Sequence, residues 1–178
     1  APKPFVAGQS SVPPSGKVIG AGELQAMTEA VLDGWLTTGR FNEAFEKRLG
    51  KYLGRRCVLT TNSGSSANLL ALTALTSPLL GPRALRPGDE VITSAYTYTA
   101  SASVICHVGA KVVLVDTAPG TFEMDYDKLS QAITEKTKVI IPVDLGGVIC
   151  DYDKIFAAIE NYKHLFNPAN DIQKAFGR

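Results

Sequence analysis

The sequence predicts a three-layer α/β fold, a mostly parallel sheet with helices on both faces. Three observations predict it. Short runs rich in β-branched residues recur at Cys57–Thr61, Glu90–Ser94, Lys111–Val115 and Lys138–Val143. These runs lack regular polar–apolar alternation, as expected of strands covered on both faces. Segments of helical period lie between them, the order that βαβ units produce.

Taken in order, residues 1–20 read as an extended arm, because Pro2, Pro4, Pro13 and Pro14 oppose both helix and central strand. From Ala21 to Gly34 the spacing predicts a helix with Leu24, Met27, Ala30, Val31 and Trp35 on one face. Gly39 marks a turn. Asn42–Leu53 reads as a second helix, with Phe41, Phe45, Leu49 and Tyr52 at helical spacing and Gly54 as its stop. The Cys57–Thr61 strand leads into a helix over Ser66–Leu75, and Pro87-Gly88-Asp89 turns the chain into the strand Glu90–Ser94. A helix is expected over Tyr98–His107, a strand over Lys111–Val115, and a helix over Tyr126–Thr134 with Asp125 as its cap. A strand over Lys138–Val143 and a helix over Asp151–Glu160 complete the pattern, joined by right-handed crossovers. The tail contains Pro168, Asn170 and Gly177 and no strand. A sheet stopping there has an open edge, so residues 21–178 read as a partial domain truncated at its C-terminus.

Composition narrows the class of function. With 45% apolar and 20% charged residues and a formal net charge of +1, the chain is an ordinary globular protein. It lacks the basic excess that neutralises a phosphate backbone, so no nucleic-acid partner is expected. No apolar window is long enough to span a bilayer, and the Pro- and Ser-rich start, lacking an apolar run, does not read as a signal peptide. The expectation is no membrane partner and a cytoplasmic location. Cys57, Cys106 and Cys150 are odd in number and far apart. They form neither a zinc site nor a disulfide framework, and buried free thiols are the plain reading. His107 and His164 have no ligand spacing, so no metal site is expected.

The densest chemical signal is Thr60-Thr61-Asn62-Ser63-Gly64-Ser65-Ser66-Ala67-Asn68, between a strand and a helix. In open α/β sheets ligands bind at the carboxyl ends of strands. Gly64 permits close backbone approach and an unusual φ. Ser65 and Ser66 fall where the helix N-terminal amides are unpaired, and their hydroxyls add donors. Together with the positive end of the helix dipole, these features suit a phosphate dianion. A plain serine-capped helix is the alternative. Neither G-x-x-x-x-G-K-[ST] nor G-x-G-x-x-G occurs, so both common nucleotide fingerprints fail. One strand further on, Thr93-Ser94-Ala95-Tyr96-Thr97-Tyr98-Thr99 begins where a strand ends. An aromatic there can lie flat against a heteroaromatic ring. The alternative is that Tyr96 or Tyr98 is a core aromatic.

An ordered series of motifs carries a resemblance. Trp35-Leu36-Thr37-Thr38-Gly39, Phe45-Glu46, Asn62-Ser63-Gly64-Ser65-Ser66-Ala67 and Pro87-Gly88-Asp89-Glu90-Val91-Ile92 together resemble the DegT/DnrJ/EryC1/StrS family of nucleotide-sugar aminotransferases. The match runs from roughly Val12 to Ile159. Pro14 to Gly20, Trp35 to Asn42 and Leu59 to Pro78 look like the CDP-4-keto-6-deoxyglucose 3-dehydratase branch, which uses pyridoxamine phosphate and an iron–sulfur cluster. From Ser94 onward the chain looks like the ordinary aminotransferases, and the two branches stay open.

The resemblance implies the N-terminal part of the large domain of fold-type I transferases dependent on pyridoxal 5′-phosphate (PLP). Gly64, Ser65 and Ser66 correspond to the cofactor-phosphate loop and Tyr98 to the residue stacked on the pyridine ring. Trp35, Thr37, Thr38 and Gly39 correspond to a stretch reaching substrate or a neighbouring subunit. The implied function is transfer of an amino group from glutamate to a nucleotide-linked keto-sugar, in a homodimer. A pyridoxamine 5′-phosphate (PMP)-dependent 3-dehydratase and a noncatalytic phosphate-binding or dimerising remnant are the alternatives. Two departures stand out. Asp144 replaces the family's His after the strand, where a loop or cap role is the plain reading. The family's later Asp motif and its Schiff-base lysine segment do not occur, and Lys163 and Lys174 sit in the wrong context. No catalytic residue is therefore assigned, and the chain is expected to be inactive alone.

Overall fold

The computed structural model describes residues 4–12, 16–165, 168, 171 and 174. Pro2, Pro13 and Pro14 of the expected arm, and Asn170 and Gly177 of the tail, lie outside them. The chain divides into two compact units, Ala1–Thr60 and Thr61–Arg178.

The first unit holds two helices. α1, Ala21–Leu32, starts where the Gly20 amide donates to Glu23 Oε2 at 2.7 Å, a helix-start contact supplied by a side chain three residues on. α2, Arg40–Leu53, ends at Gly54 in the left-handed conformation, φ 64°, the stop expected of that glycine. The predicted stripe of α1 is present but unburied, and no residue of that helix is buried. After α2 the chain returns along it. Gly50 is buried so closely that a Cβ there would lie 2.9 Å from the Arg55 carbonyl oxygen. The Thr60 amide donates to Glu46 Oε1 at 2.8 Å, and the Thr60 hydroxyl lies 2.7 Å from Asn42 Oδ1 and 2.8 Å from Glu46 Oε1.

These contacts account for one correction. The Cys57–Thr61 run is not a strand, and among the described residues it has no ladder partner. A strand needs a neighbour for its amides and carbonyls. Here a side chain of α2 takes the Thr60 amide instead.

The second unit is the predicted α/β body. Three strands, β1 (Glu90–Ser94), β2 (Lys111–Val115) and β3 (Thr137–Ile141), form a parallel sheet in the order β2-β1-β3. A bulge at Lys138 shifts the β1–β3 register after Glu90. Strand alternation sorts the side chains into two cores. Val91 packs with Leu72 of α3 (Gly64–Leu75) and with Val104 and Ile105 of α4 (Thr99–His107). Ile92, one residue on, packs with Leu129 of α5 (Tyr126–Ala132) and with Ile155 and Ala158 of α6 (Tyr152–Glu160). This is a three-layer sandwich with helices on both faces. Asp125 caps α5 as expected, accepting from the amides of Asp127 and Lys128, and Asp151 caps α6.

The thiols are not all buried. Cys150 is, and its thiol donates to the Val143 carbonyl at 3.2 Å, but Cys57 and Cys106 are exposed. Cys57 lies on the segment after α2 that joins no sheet, and Cys106 sits on α4 next to the buried Ile105, turned outward.

Candidate functional site

The helical turn at Gly64 is built from its preceding residues. Ser63, extended at φ −161° and ψ 161°, is the N-cap of α3, and its Oγ accepts the Ser66 amide at 3.1 Å. The Ser66 hydroxyl lies 3.1 Å from the same oxygen, and the Thr61 hydroxyl donates to the Ser63 carbonyl at 2.8 Å. The Ala67 amide takes the Ser63 carbonyl, opening the helical ladder. The Gly64 and Ser65 amides have no acceptor among the described residues. They are two of the donors every helix start leaves over. The first turn carries no acidic side chain, so nothing there opposes an anion.

Gly64 itself departs from expectation. It is not in the positive-φ region, since it is the first residue of a right-handed helix. What the missing Cβ leaves is open space, with no atom within 4 Å of where it would sit. The glycine therefore gives a ligand room rather than giving the chain a special turn. Ser65 is exposed and Ser66 half-buried.

Tyr98 is the N-cap residue of α4 rather than part of it, and it is 76% exposed. That excludes the core-aromatic reading for Tyr98. Tyr96 is also exposed, its ring stacked on Phe122 at 5.6 Å between centroids. The turn before Tyr98 is fixed by the Tyr96 amide on Ser94 Oγ at 3.2 Å and the Thr97 hydroxyl on Ser101 Oγ at 2.9 Å. Leu72, near the end of α3, clusters with Ile105, near the end of α4, and with Val91 and Ala110 at the beginnings of strands. Both helices therefore start at the carboxyl edge of the sheet, where such folds bind ligands. Gly64, Ser65 and Ser66 share one turn, and Tyr98 begins the neighbouring helix at that same edge.

Trp35, Thr37, Thr38 and Gly39 belong to the first unit, where they line a cavity of about 740 Å³. The Trp35 indole donates to the Thr38 carbonyl at 2.7 Å. Beside it the Arg40 guanidinium grips Asp33 through Nε at 2.7 Å and Nη2 at 3.2 Å, which holds the Asp33 carboxyl below the usual carboxylate range.

Two further residues shape the candidate turn. Ser63 is its cap, signalled in the sequence by the Ser63…Ser66 spacing, and Thr61 braces the Ser63 carbonyl, with no sequence signal of its own. Asp144 is a loop cap, as expected. Its Oδ1 accepts the Cys150 amide at 2.8 Å and its Oδ2 faces the Tyr152 hydroxyl at 3.3 Å. That carboxylate and the burial of the ring push the Tyr152 hydroxyl pKa up, burial being the larger cause.

Known proteins resemble this chain. The RfbH lipopolysaccharide biosynthesis protein of Salmonella typhimurium is 62% identical over 140 residues, which are 79% of this chain and 32% of RfbH. The dTDP-4-dehydro-2,6-dideoxy-D-glucose 3-dehydratase of Saccharopolyspora spinosa is 41% identical over 137 residues, 77% of this chain and 30% of that protein. The Streptococcus pneumoniae protein Spr1654, assigned as a sugar aminotransferase and solved in its PLP form, superposes with a TM-score of 0.81 at 45% identity. That match covers 95% of this chain and 41% of Spr1654, so the chain spans about a third of the length of these relatives. The profile of the DegT/DnrJ/EryC1/StrS aminotransferase family matches residues 17–172. On that match, and on the superposition with Spr1654, the chain belongs to the DegT/DnrJ/EryC1/StrS aminotransferase family.

Proposed function

We propose that this chain supplies the phosphate anchor and the ring-facing aromatic of a PLP- or PMP-dependent enzyme that moves an amino group from glutamate to a nucleotide-linked keto-sugar. One observation carries the reading. The free Gly64 and Ser65 amides open a helix of 12 residues at a point where the absent Cβ leaves open space. A phosphate dianion fits that donor set, with the Ser65 and Ser66 hydroxyls as further donors and the helix dipole favouring its charge. The bound cofactor supplies the electron sink that lets an amino group exchange with a keto group. The chain's own residues anchor and orient. Ser63 holds the turn open, Gly64 and Ser65 receive the phosphate, and exposed Tyr98 offers its face to the pyridine ring.

Membership of the aminotransferase family and the PLP form of Spr1654 support this reading. Residues 21–178 are then part of a larger domain. A cytoplasmic homodimer accords with the exposed apolar side chains of the first unit, and no described helix is long and apolar enough to cross a membrane. A second reading, PMP-dependent sugar 3-dehydration, is favoured by the 41% identity to the Saccharopolyspora enzyme.

Equilibrium dialysis of the 178-residue chain tests the anchor. If the turn grips phosphate, pyridoxamine 5′-phosphate binds about 100-fold tighter than pyridoxamine, and Ser63→Ala narrows the gap. Equal affinity for the two compounds contradicts the reading.

A further inference from the structure

Phe45 and Glu46 are neighbours on α2 but differ in setting: Phe45 is exposed and Glu46 half-buried. Asn42, one helical turn before Glu46, is half-buried too. Both polar side chains reach Thr60. The Thr60 hydroxyl lies 2.8 Å from Glu46 Oε1 and 2.7 Å from Asn42 Oδ1, and the Thr60 amide donates to that same Glu46 oxygen at 2.8 Å. Thr60, first through its amide and then through its hydroxyl, holds the Glu46 carboxyl below the usual range. A carboxylate on a helix surface ordinarily faces water or a lysine. This one is taken up by the backbone and hydroxyl of a residue 14 positions away.

Thr60 is the last residue before the candidate turn whose amide is held. The amides from Thr61 to Ser65 have no acceptor among the described residues, and the next one engaged is that of Ser66, on Ser63 Oγ. No strand pairing fixes this run either. Between its two ends there is the Thr61 hydroxyl on the Ser63 carbonyl at 2.8 Å. Free amides are what an anion requires, but a run of them is also free to move, and binding must then order it. Holding one end at Thr60 and the other at the Ser63 cap lowers that cost.

We infer that Glu46 is a positioning residue for the phosphate turn: by holding the Thr60 amide and hydroxyl, it sets the backbone of residues 61–65 for the cofactor phosphate in advance. This rests on the phosphate-anchor reading above and deepens it. The side chain has two properties, reach and charge. Positioning depends on reach. Charge acts in the opposite direction, because a carboxylate repels a dianion. Two variants separate them. Glu46→Gln keeps the length and an acceptor oxygen and loses the charge. Glu46→Asp keeps the charge and is one methylene short.

The test is equilibrium dialysis of the intact chain and of Glu46→Gln, Glu46→Asp and Glu46→Ala, each against pyridoxamine 5′-phosphate and against pyridoxamine. Glu46→Gln is expected to bind the phosphorylated compound within about threefold of wild type, and Glu46→Asp and Glu46→Ala about tenfold more weakly. Affinity for pyridoxamine changes by less than about twofold in all three, since it carries no phosphate. Hydrogen exchange at the Thr60 amide follows the same order, slow in wild type and Glu46→Gln and fast in the other two, while the β1 amides stay protected and show the fold intact. If Glu46→Ala does not fold, the Gln and Asp variants decide. The inference is overturned if Glu46→Asp binds as wild type does while Glu46→Gln and Glu46→Ala bind more tightly, the pattern of a pure charge effect. It is overturned equally if Glu46→Gln weakens binding as much as Glu46→Ala. A preference for the phosphorylated compound that survives undiminished in every folded variant overturns this inference alone. A wild-type chain with no such preference overturns the anchor reading and this inference with it.

Discussion

The two units place their apolar side chains in opposite ways. In Thr61–Arg178, residues such as Ile92, Ile105 and Leu129 are fully buried between the sheet and its helices. In Ala1–Thr60 the long helix α1 buries nothing, α2 buries only Gly50, and Val31, Leu32 and Leu36 are 77%, 79% and 99% exposed. The difference shows that two segments with equally good helical periodicity can be held by different forces. The second unit is held by a core. The first is held by local devices: a glycine stop, a buried glycine under a carbonyl, and side chains that take backbone amides.

The largest test of that contrast is a pair of truncations. Ile92→Ala removes a side chain buried on β1 and is expected to cost about 3 kcal/mol in chemical denaturation. Val31→Ala, on the exposed stripe of α1, should change stability by less than about 0.5 kcal/mol. Equal losses at both sites would erase the distinction.

Gly50→Ala asks whether close approach replaces a core in the first unit. The added Cβ meets the Arg55 carbonyl oxygen at 2.9 Å, so the return of the chain along α2 must shift, at a cost of about 1–3 kcal/mol. Hydrogen exchange should locate the damage at the Thr60 amide, which Glu46 protects. Damage in β1 instead would mean the first unit is not held locally.

Ser63→Ala probes a local device in the core-held unit. It removes the cap of α3 and should cost about 1 kcal/mol, read as faster exchange at the Ser66 amide.

The smallest effect is one of pH. At the start of β1 the Glu90 carboxylate is buried and accepts the Thr134 hydroxyl at 2.7 Å and the Lys111 ammonium at 3.0 Å. The Thr134 hydrogen bond first, and then Lys111, hold its pKa below the ordinary 4.5. A carboxyl with a depressed folded value stabilises fully above its unfolded value and loses that contribution as pH falls through the folded one. Melting temperature should drop below about pH 4.5 in the wild type, and Glu90→Gln should flatten that part of the profile.

Much of the second unit was legible because its signals are local. β1 and β2 match their β-branched runs residue for residue, and Asp125 and Asp151 cap the helices that follow them. β3 comes one residue early, just before a bulge at Lys138 that no pattern announces, and ends two early. α2 begins at Arg40 rather than Asn42, because its N-cap, Gly39, offers no side-chain signal. The Pro- and Gly-rich stretch at Pro78–Arg83 forms 3₁₀ turns broken at Gly81, a conformation that composition alone reads only as loop. Cys57–Thr61 has strand composition, but whether it pairs depends on a neighbour, and a neighbour is a property of the whole fold. At the candidate site the serine spacing showed where a helix starts. That Gly64 is helical with open space above it, and that Trp35 is tied to Thr38, are facts of three dimensions.

The central claim is that the turn at Gly64 grips a phosphate through backbone amides. Titrating the ¹⁵N-labelled chain with pyridoxamine 5′-phosphate measures this at the atoms concerned. The predicted result is that the Gly64 and Ser65 amide resonances move furthest and saturate together, with Ser66 close behind. Saturable binding that leaves those amides in place and shifts others instead would contradict the account.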